Sequence, residues 1–210
     1  MGCDIHPFVE RYMKEKQKWI PVDPPKQPKK EWQDWGKYAR KVTDVEALSK
    51  AHTKEPDIEP EIAESWNFGR NYEAFANLAG VRRDDEPVFC EPRGIPDDVS
   101  NLVLMAFSTR IVTNDEYASG TSEGVSEEVA KSWFKSRTIS TYRIDGNLFM
   151  KSPDCHSATY YTLEELDSCL KEHSKKASKR IKELATEMRK VMKKYGLKHD
   201  QVRVVLWFDN

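Results

Sequence analysis

Apolar and polar residues follow their clearest patterns at the two ends of the chain, where they predict β-strands. Residues 3–12 and 18–22 carry apolar side chains on either side of a short charged stretch, a pattern that predicts a hairpin. Pro21 is typical of an edge strand or of a strand end. Residues 201–208 form a β-branched and aromatic run that is apolar on both faces. We therefore expect 201–208 in the middle of a sheet, beside the hairpin.

Apolar residues at intervals of three and four predict helices in the middle of the chain. Residues 71–81 and 125–134 have this spacing, and 97–107 could form a short helix with Asp97 or Asp98 as its N-cap. These helices supply apolar faces that could pack against a sheet.

The region before the last strand predicts one long helix. Thr162 and Glu165 have the spacing of a capping box, and an apolar stripe runs from Leu166 to Tyr195. Gly196 is a suitable residue for the C-terminal end. The stripe is narrow, so this helix is expected to bury one side against the sheet.

Two further regions complete the predicted elements. Residues 139–150 have strand character interrupted by the Asp145–Gly146 turn signal, which predicts a second hairpin. Residues 88–96 contain two prolines and a glycine, which exclude regular structure and predict an extended loop.

These elements predict an α+β fold. Its mixed or antiparallel sheet includes the N-terminal hairpin and the C-terminal strand, and helices including one long C-terminal helix pack against it. A length of 210 residues is typical of a single domain, here 1–210. The polar region 31–60 is interpreted as a peripheral insertion.

Composition narrows the class of partner. The formal net charge is −1, so long nucleic acid is not expected, although Lys and Arg concentrate between Lys171 and Lys198. This basic run is interpreted as a solvated helix face, or alternatively as a face for an anionic ligand or nucleic acid. No apolar run reaches the roughly twenty residues of a membrane span, and the first residues do not resemble an export signal. We therefore expect a cytoplasmic protein with no membrane partner, with free cysteines, and with homo-oligomerisation left open.

The first candidate chemistry is an acid and an imidazole near the N-terminus. Asp4 and His6 fall on one face of the predicted first strand, because strand side chains alternate with period two. Asp154 and His156 repeat the pair downstream, next to Ser157, and Asp209 could reach the same place. A divalent metal is a candidate cofactor, with Asp4, His6, Asp154 and His156 as candidate ligands. Alternatively, Asp4 anchors the terminus and His6 is a hydrogen-bonded residue of the sheet.

The second candidate chemistry is an anion-binding group. Arg70, Asn71 and Tyr72 stand where the first predicted helix begins, and a helix N-terminus with an arginine beside it suits an anion. Arg93 stands in the proline-bounded loop, where little flexibility remains to be lost on binding. Alternatively, Asn71 only caps the helix and Arg70 pairs with a surface acid. Arg93 would then pair with Asp97 or Asp98 in a tight connection.

These segments together resemble a family of uncharacterised phage and prophage proteins that open with Met-Gly-Cys-Asp-Ile-His. The resemblance covers 1–10, 70–82, 92–100, 154–166 and 202–210. Members often carry Asp-Gly-His-Ser where this chain has Asp154, Cys155, His156 and Ser157, so the acid, the imidazole and the hydroxyl are retained. The resemblance implies a small cytosolic phage accessory protein that acts against host defence.

Three functions fit these residues. The first is a phosphodiesterase-type hydrolase of a small nucleotide such as a cyclic immune signal. In it His6, His156 and Asp4 are the catalytic candidates, and Arg70, Asn71, Tyr72, Arg93, Asp154 and Ser157 bind the ligand. The second is a nucleotide sponge, which binds the ligand with the same residues but does not turn it over. The third is a protein-binding or structural module with no small-molecule ligand.

Overall fold

The computed structural model describes the following residues: 4–24, 65, 66, 68, 71–80, 87–120, 124–136, 140–144 and 146–209. The chain forms two compact units. The first is drawn from Met1–Pro24, Ala63–Phe107 and Ser152–Asn210, and the second from Pro25–Ile62 and Ser108–Lys151. The predicted insertion at 31–60 lies outside the described residues, so the single-domain organisation stays a prediction.

The first unit is built on a four-stranded antiparallel sheet. Its strands are β1 (Ile5–Met13) and β2 (Lys18–Pro21), joined by a 3-10 turn at Lys14–Lys16, together with β7 (His156–Thr162) and β8 (Val202–Phe208). The order across the sheet is β2-β1-β8-β7. The predicted α+β class is confirmed, and the last strand lies between the N-terminal hairpin and β7.

Three helices cover one face of this sheet, called here the Phe208 face. They are α1 (Tyr72–Ala79), α5 (Leu163–Glu172) and α6 (Lys179–Tyr195). Their apolar sides join residues of β1 and β8 in one continuous core. Burial of this area is the main contribution to the stability of the first unit.

The opposite face, called here the Trp207 face, packs against α2 (Asn101–Ala106). Phe8 and Trp207 stack with ring centroids 4.7 Å apart, and Phe107 meets Trp207 edge-on at 5.0 Å. Ser100 caps α2 by accepting a hydrogen bond from the Val103 N–H. The prediction of Asp97 or Asp98 as this cap was therefore wrong.

The predicted long C-terminal helix is two helices, α5 and α6. The break falls at Ser178, which is buried. Its backbone N–H donates to the Asn77 side chain at 2.9 Å, and its hydroxyl donates to Asn71 at 3.2 Å and accepts from the Arg180 N–H at 3.2 Å. These bonds hold Ser178 as the N-cap of α6, so the chain cannot pass through it as a continuous helix.

In its described residues, the second unit forms a four-stranded sheet of order β4-β3-β6-β5 and two short helices. Its elements are β3 (Ser108–Val112), α3 (Asn114–Ser119), β4 (Val125–Ser126), α4 (Glu127–Ser136), β5 (Thr141–Ile144) and β6 (Asn147–Lys151). β3 and β4 are parallel and the other pairs are antiparallel. The predicted hairpin over 139–150 is confirmed, with Gly146 at φ 82° in its turn.

Candidate functional site

The predicted acid–imidazole residues gather where β1 begins and β8 ends, a region called here the sheet end. Ile5 and His156 lie on either side of Phe208 in the strand register. Asp4 and Asp209 are the next residues outward, and the Asp209 N–H donates to the Asp4 carbonyl at 3.3 Å. The sheet therefore brings residues from three distant parts of the sequence to one place.

His6 and Asp209 form a dyad on the Trp207 face. The Nε2 atom of His6 lies 2.8 Å from Oδ2 of Asp209, and the side chains are 33% and 36% exposed. The Asp4 backbone N–H donates to the other carboxylate oxygen at 3.0 Å. The His6 ring also stacks on Trp207, with centroids 6.1 Å apart. The orientation of His6 is therefore fixed, and both dyad members are in reach of solvent.

The surroundings of Asp209 favour its charged form. Partial burial by itself raises the pKa of this carboxyl, but the hydrogen bonds from His6 and from the Asp4 N–H together lower it below its ordinary value. Asp209 is therefore an anion at neutral pH and a strong acceptor for the imidazole.

The dyad leaves one ring nitrogen available for chemistry. In a neutral imidazole, a proton on Nε2 donates to the carboxylate and Nδ1 becomes an acceptor. Nδ1 of His6 makes no hydrogen bond to any residue that the structure describes. A carboxylate-oriented imidazole of this kind can take a proton from water or from a substrate hydroxyl.

His156 and Ser157 stand on the other side of the sheet end. The His156 ring stacks on Phe208 with centroids 5.9 Å apart, while His6 stacks on the neighbouring Trp207. Consecutive strand residues point to opposite faces, so the two imidazoles belong to opposite faces. The structure therefore brings both to the sheet end but does not pair them.

Ser157 has an unusual backbone conformation. Its φ is 50°, in the left-handed region, and it lies at a register irregularity of β7 between His156 and Thr159. A residue with a Cβ atom is strained in this conformation, which normally favours glycine. The Oγ atom of Ser157 lies 3.1 Å from Nδ1 of His156.

The helix-start residues lie on the Phe208 face. Asn71 caps α1, accepting from the Ala74 N–H at 2.8 Å. Tyr72 is 46% exposed, and a line of ring contacts runs from Tyr72 through Phe75 and Phe208 to His156. Arg70 lies outside the described residues.

Arg93 is engaged within the protein. Its guanidinium forms a bidentate salt bridge with the Glu165 carboxylate, with N···O distances of 2.7 and 3.2 Å. It also donates a hydrogen bond to the Tyr160 carbonyl. It also lies 4.1 Å above the Tyr160 ring. Partial burial raises the pKa of Glu165, but Arg93 and the Thr162 cap outweigh it and lower this pKa. The alternative that Arg93 pairs with an acid is the observed one, although the partner is not Asp97 or Asp98.

One buried ionic network was missed by the sequence analysis. Arg203 of β8 bonds Glu10 of β1 at 2.8 Å and the Asp98 carboxylate at 2.6 Å, and Glu10 is fully buried. The Trp19 indole N–H donates to Asp98 at 2.9 Å, and Arg203 stacks on its ring at 4.0 Å. The available signal was Arg203, the one charged residue in the otherwise apolar strand β8.

Asp154 and the proposed metal site find little support in the geometry. Asp154 is exposed and makes no hydrogen bond to the described residues. Within the described part of the chain, no group of three or more histidine, cysteine or acidic side chains is placed to hold a metal ion. Cys90 and Cys169 are free thiols.

A surface cavity of about 520 Å³ lies in the second unit, and none of its lining residues was predicted as a site residue. Its lining residues are Asn114, Glu128, Lys131, Ser132 and Lys135.

No protein-family model, curated protein or solved structure matches this chain. Among the described residues, no helix is both long enough and apolar enough to cross a membrane.

Proposed function

We propose that the protein binds a small nucleotide-type phosphoester across the sheet end and hydrolyses it, with His6 as the general base. The observation that carries the proposal is the His6–Asp209 dyad, with its 2.8 Å contact and its unbonded Nδ1 among described residues. Asp209 holds the ring in one tautomer, so that Nδ1 can take a proton from an attacking water. Asp4 contributes through its backbone N–H, which fixes the Asp209 carboxylate.

The ligand class is argued from the groups around the dyad. The strands stop at the sheet end, so a ligand lying across it would border residues of both faces. Tyr72 offers an exposed ring on which a base could stack, and the Asn71 side chain marks the N-terminus of α1. Arg70 is the candidate cation for the phosphate, since Arg93 is held by Glu165.

The biological setting is proposed from the resemblance of the opening residues to phage proteins. In that setting the protein acts in the cytoplasm of an infected host, and the ligand is a cyclic nucleotide that signals host defence. Hydrolysis of this signal by the protein would weaken the host's defence response to the phage.

The test is nucleotide turnover. The purified protein is incubated with cyclic dinucleotides, cyclic mononucleotides and linear dinucleotides, with and without Mg²⁺ or Mn²⁺, and the products are resolved by ion-exchange chromatography. We expect consumption of at least one nucleotide, a rate lowered at least ~100-fold by His6→Gln, and a loss of about tenfold or more in Asp209→Asn. His199→Gln is the matched control, because His199 lies at the start of β8 rather than at its end. A panel of unchanged nucleotides would rule out hydrolysis.

A second candidate is sequestration of the nucleotide without turnover. It is favoured by the placement of His6 and His156 on opposite faces, because a two-histidine acid–base mechanism needs both rings at one bond. This alternative predicts that an unchanged nucleotide stabilises the protein thermally, and that Tyr72→Ala removes the stabilisation.

A further inference from the structure

We infer that Ser157 is a nucleophile, activated by His156, that forms a covalent phosphoseryl intermediate with the ligand. The inference rests on the proposed function, since it adds a first attack by Ser157 on the same class of substrate, before the attack of the water for which His6 is the general base. It begins from two features that the His6–Asp209 dyad does not explain, namely the hydroxyl–imidazole contact and the strained serine.

The contact has the geometry of an activated hydroxyl. Oγ of Ser157 lies 3.1 Å from Nδ1 of His156, within hydrogen-bond reach. A serine hydroxyl is a weak nucleophile by itself and needs an adjacent base to take its proton. Stacking on Phe208 at 5.9 Å limits rotation of the imidazole, so the base is held beside the hydroxyl.

The backbone gives the second reason. Ser157 has φ 50° at the irregularity of β7. An extra strand residue in the left-handed conformation is most often glycine, which adopts it without strain. A serine therefore retains strain that a glycine would remove, and such outliers cluster at functional sites. Ser157 is also partly exposed, whereas the nearby Thr159 is fully buried, so Ser157 is the hydroxyl that a ligand could reach.

The proposed reaction has two steps. In the first, Oγ of Ser157 bonds to the phosphorus, the bond from phosphorus to the leaving oxygen breaks, and the hydroxyl proton passes through Nδ1 of His156 to that oxygen. In the second, water gives a proton to Nδ1 of His6 and attacks the phosphorus, the bond from phosphorus to Oγ breaks, and Oγ takes a proton from solvent, to which His6 returns the one it accepted. The sum is hydrolysis of one phosphoester bond, and no oxidant or further co-reactant is needed.

The test uses a fluorophosphonate, a phosphoryl electrophile that loses fluoride when a nucleophilic serine attacks it. The full-length protein is incubated with the probe, and the adduct is located by peptide mass spectrometry. We expect one adduct, on Ser157, formed at least ~100-fold more slowly in His156→Phe, which keeps a ring against Phe208 but has no base. Ser168→Ala is the control, because Ser168 is exposed on α5 and its hydroxyl bonds only the Glu164 carbonyl.

Ser157→Gly separates a chemical role from an architectural one. This variant relieves the backbone strain, so its thermal unfolding temperature should equal or exceed that of the parent while its labelling is abolished. Absence of an adduct on the parent, adducts spread evenly over Ser157 and Ser168, or labelling that His156→Phe leaves unchanged would each overturn the inference.

The inference and the proposed function fail in different ways. Nucleotide hydrolysis at the full rate in Ser157→Gly would overturn the nucleophile and leave the hydrolase. Specific labelling of Ser157 in a protein that consumes no nucleotide would overturn the nucleotide substrate and leave the nucleophile.

Discussion

At the scale of single residues, the sheet end depends on one charged hydrogen bond and one strained serine. The pKa of Asp209 is raised by partial burial but lowered further by His6 and the Asp4 N–H, so its net displacement is downward. A carboxyl group of this kind stabilises the fold above its unfolded pKa of about 3.9. That contribution is lost as the pH falls through the lower pKa of the folded state.

Asp209→Asn should therefore change how stability depends on acid. We expect the wild-type protein to exceed the variant in free energy of unfolding from neutral pH down to about pH 4, and the difference to shrink below that. Urea unfolding followed by circular dichroism at a series of pH values measures it. Asp200→Asn, at an exposed carboxylate beside the other end of β8, should leave the acid dependence unchanged. A constant difference between wild type and Asp209→Asn down to pH 2 would contradict the prediction.

Two substitutions at Ser157 should differ in their effect on the free energy of unfolding. Ser157→Gly removes left-handed strain of roughly 1–2 kcal/mol and loses one hydrogen bond worth about 1 kcal/mol, so stability should stay level or rise slightly. Ser157→Ala keeps the strain and loses the bond, which should lower stability by about 1 kcal/mol. Thermal or urea unfolding compares the two, and a glycine variant less stable than the alanine variant would disprove the strain.

At the scale of elements, ionic contacts connect the strands to the loops around them. Arg203 joins β8 to Glu10 of β1 and to the loop at Asp98. The Asp98 pKa is raised by partial burial but lowered more by Arg203 and Trp19, so this carboxylate stays charged at neutral pH. Similarly, Arg93 connects its loop to α5 through Glu165, and the Gly94 N–H donates to the Ala158 carbonyl of the outer strand β7 at 2.8 Å.

Glu10→Gln should be strongly destabilising. It leaves the buried guanidinium of Arg203 with Asp98 as its remaining carboxylate partner. Because complete loss of a buried charge's partner typically costs about 3–5 kcal/mol, we expect a loss of up to that size. Urea unfolding measures the change. The double variant Glu10→Met with Arg203→Met should recover part of the loss, since no charge is then buried alone, and a Glu10→Gln variant with parental stability would contradict the network.

The sequence predicted the strands better than it predicted the contacts between charged side chains. The β-branched run at 201–208 and the alternation in 3–12 are local patterns, so β8 and β1 could be read from them. The same alternation paired His6 with Asp4, and Asp209 was named only as a residue that could reach the same place, whereas in the structure Asp209 is the carboxylate that contacts His6. The partners of Arg93 and Arg203 could not be predicted from the sequence. The chain contains many acidic residues, and tertiary packing decides which of them each arginine contacts. The left-handed backbone of Ser157 likewise has no signal in a His-Ser pair.

At the scale of the whole molecule, the proposed site depends on both ends of the chain. The β1–β8 pairing joins residues about two hundred positions apart, and β8 lies in the interior of the first unit's sheet. The described part of the second unit lies in the sequence between Phe107 and Ser152, and the Ser152 N–H donates to the Phe107 carbonyl at 3.3 Å. The first unit therefore needs the last strand to complete its core.

Two C-terminal truncations should separate folding from the dyad. Removal of 202–210 exposes the apolar residues of both faces and should leave the first unit unfolded. Removal of only 209–210 keeps β8, which ends at Phe208, and should retain the fold while the dyad is lost. Circular dichroism and size-exclusion chromatography distinguish these outcomes, and a folded protein without β8 would contradict the described sheet.

The most direct measurement is the response of the His6 ring nitrogens to ligand, followed by ¹⁵N-edited NMR of the imidazoles. Each nucleotide of the panel is titrated into the labelled protein. We predict that at least one shifts the Nδ1 resonance of His6 saturably, that Asp209→Asn weakens or abolishes this response, and that His199 is unaffected. Unchanged His6 resonances with every nucleotide, at concentrations up to the millimolar range, would contradict the assignment of the sheet end as a nucleotide site.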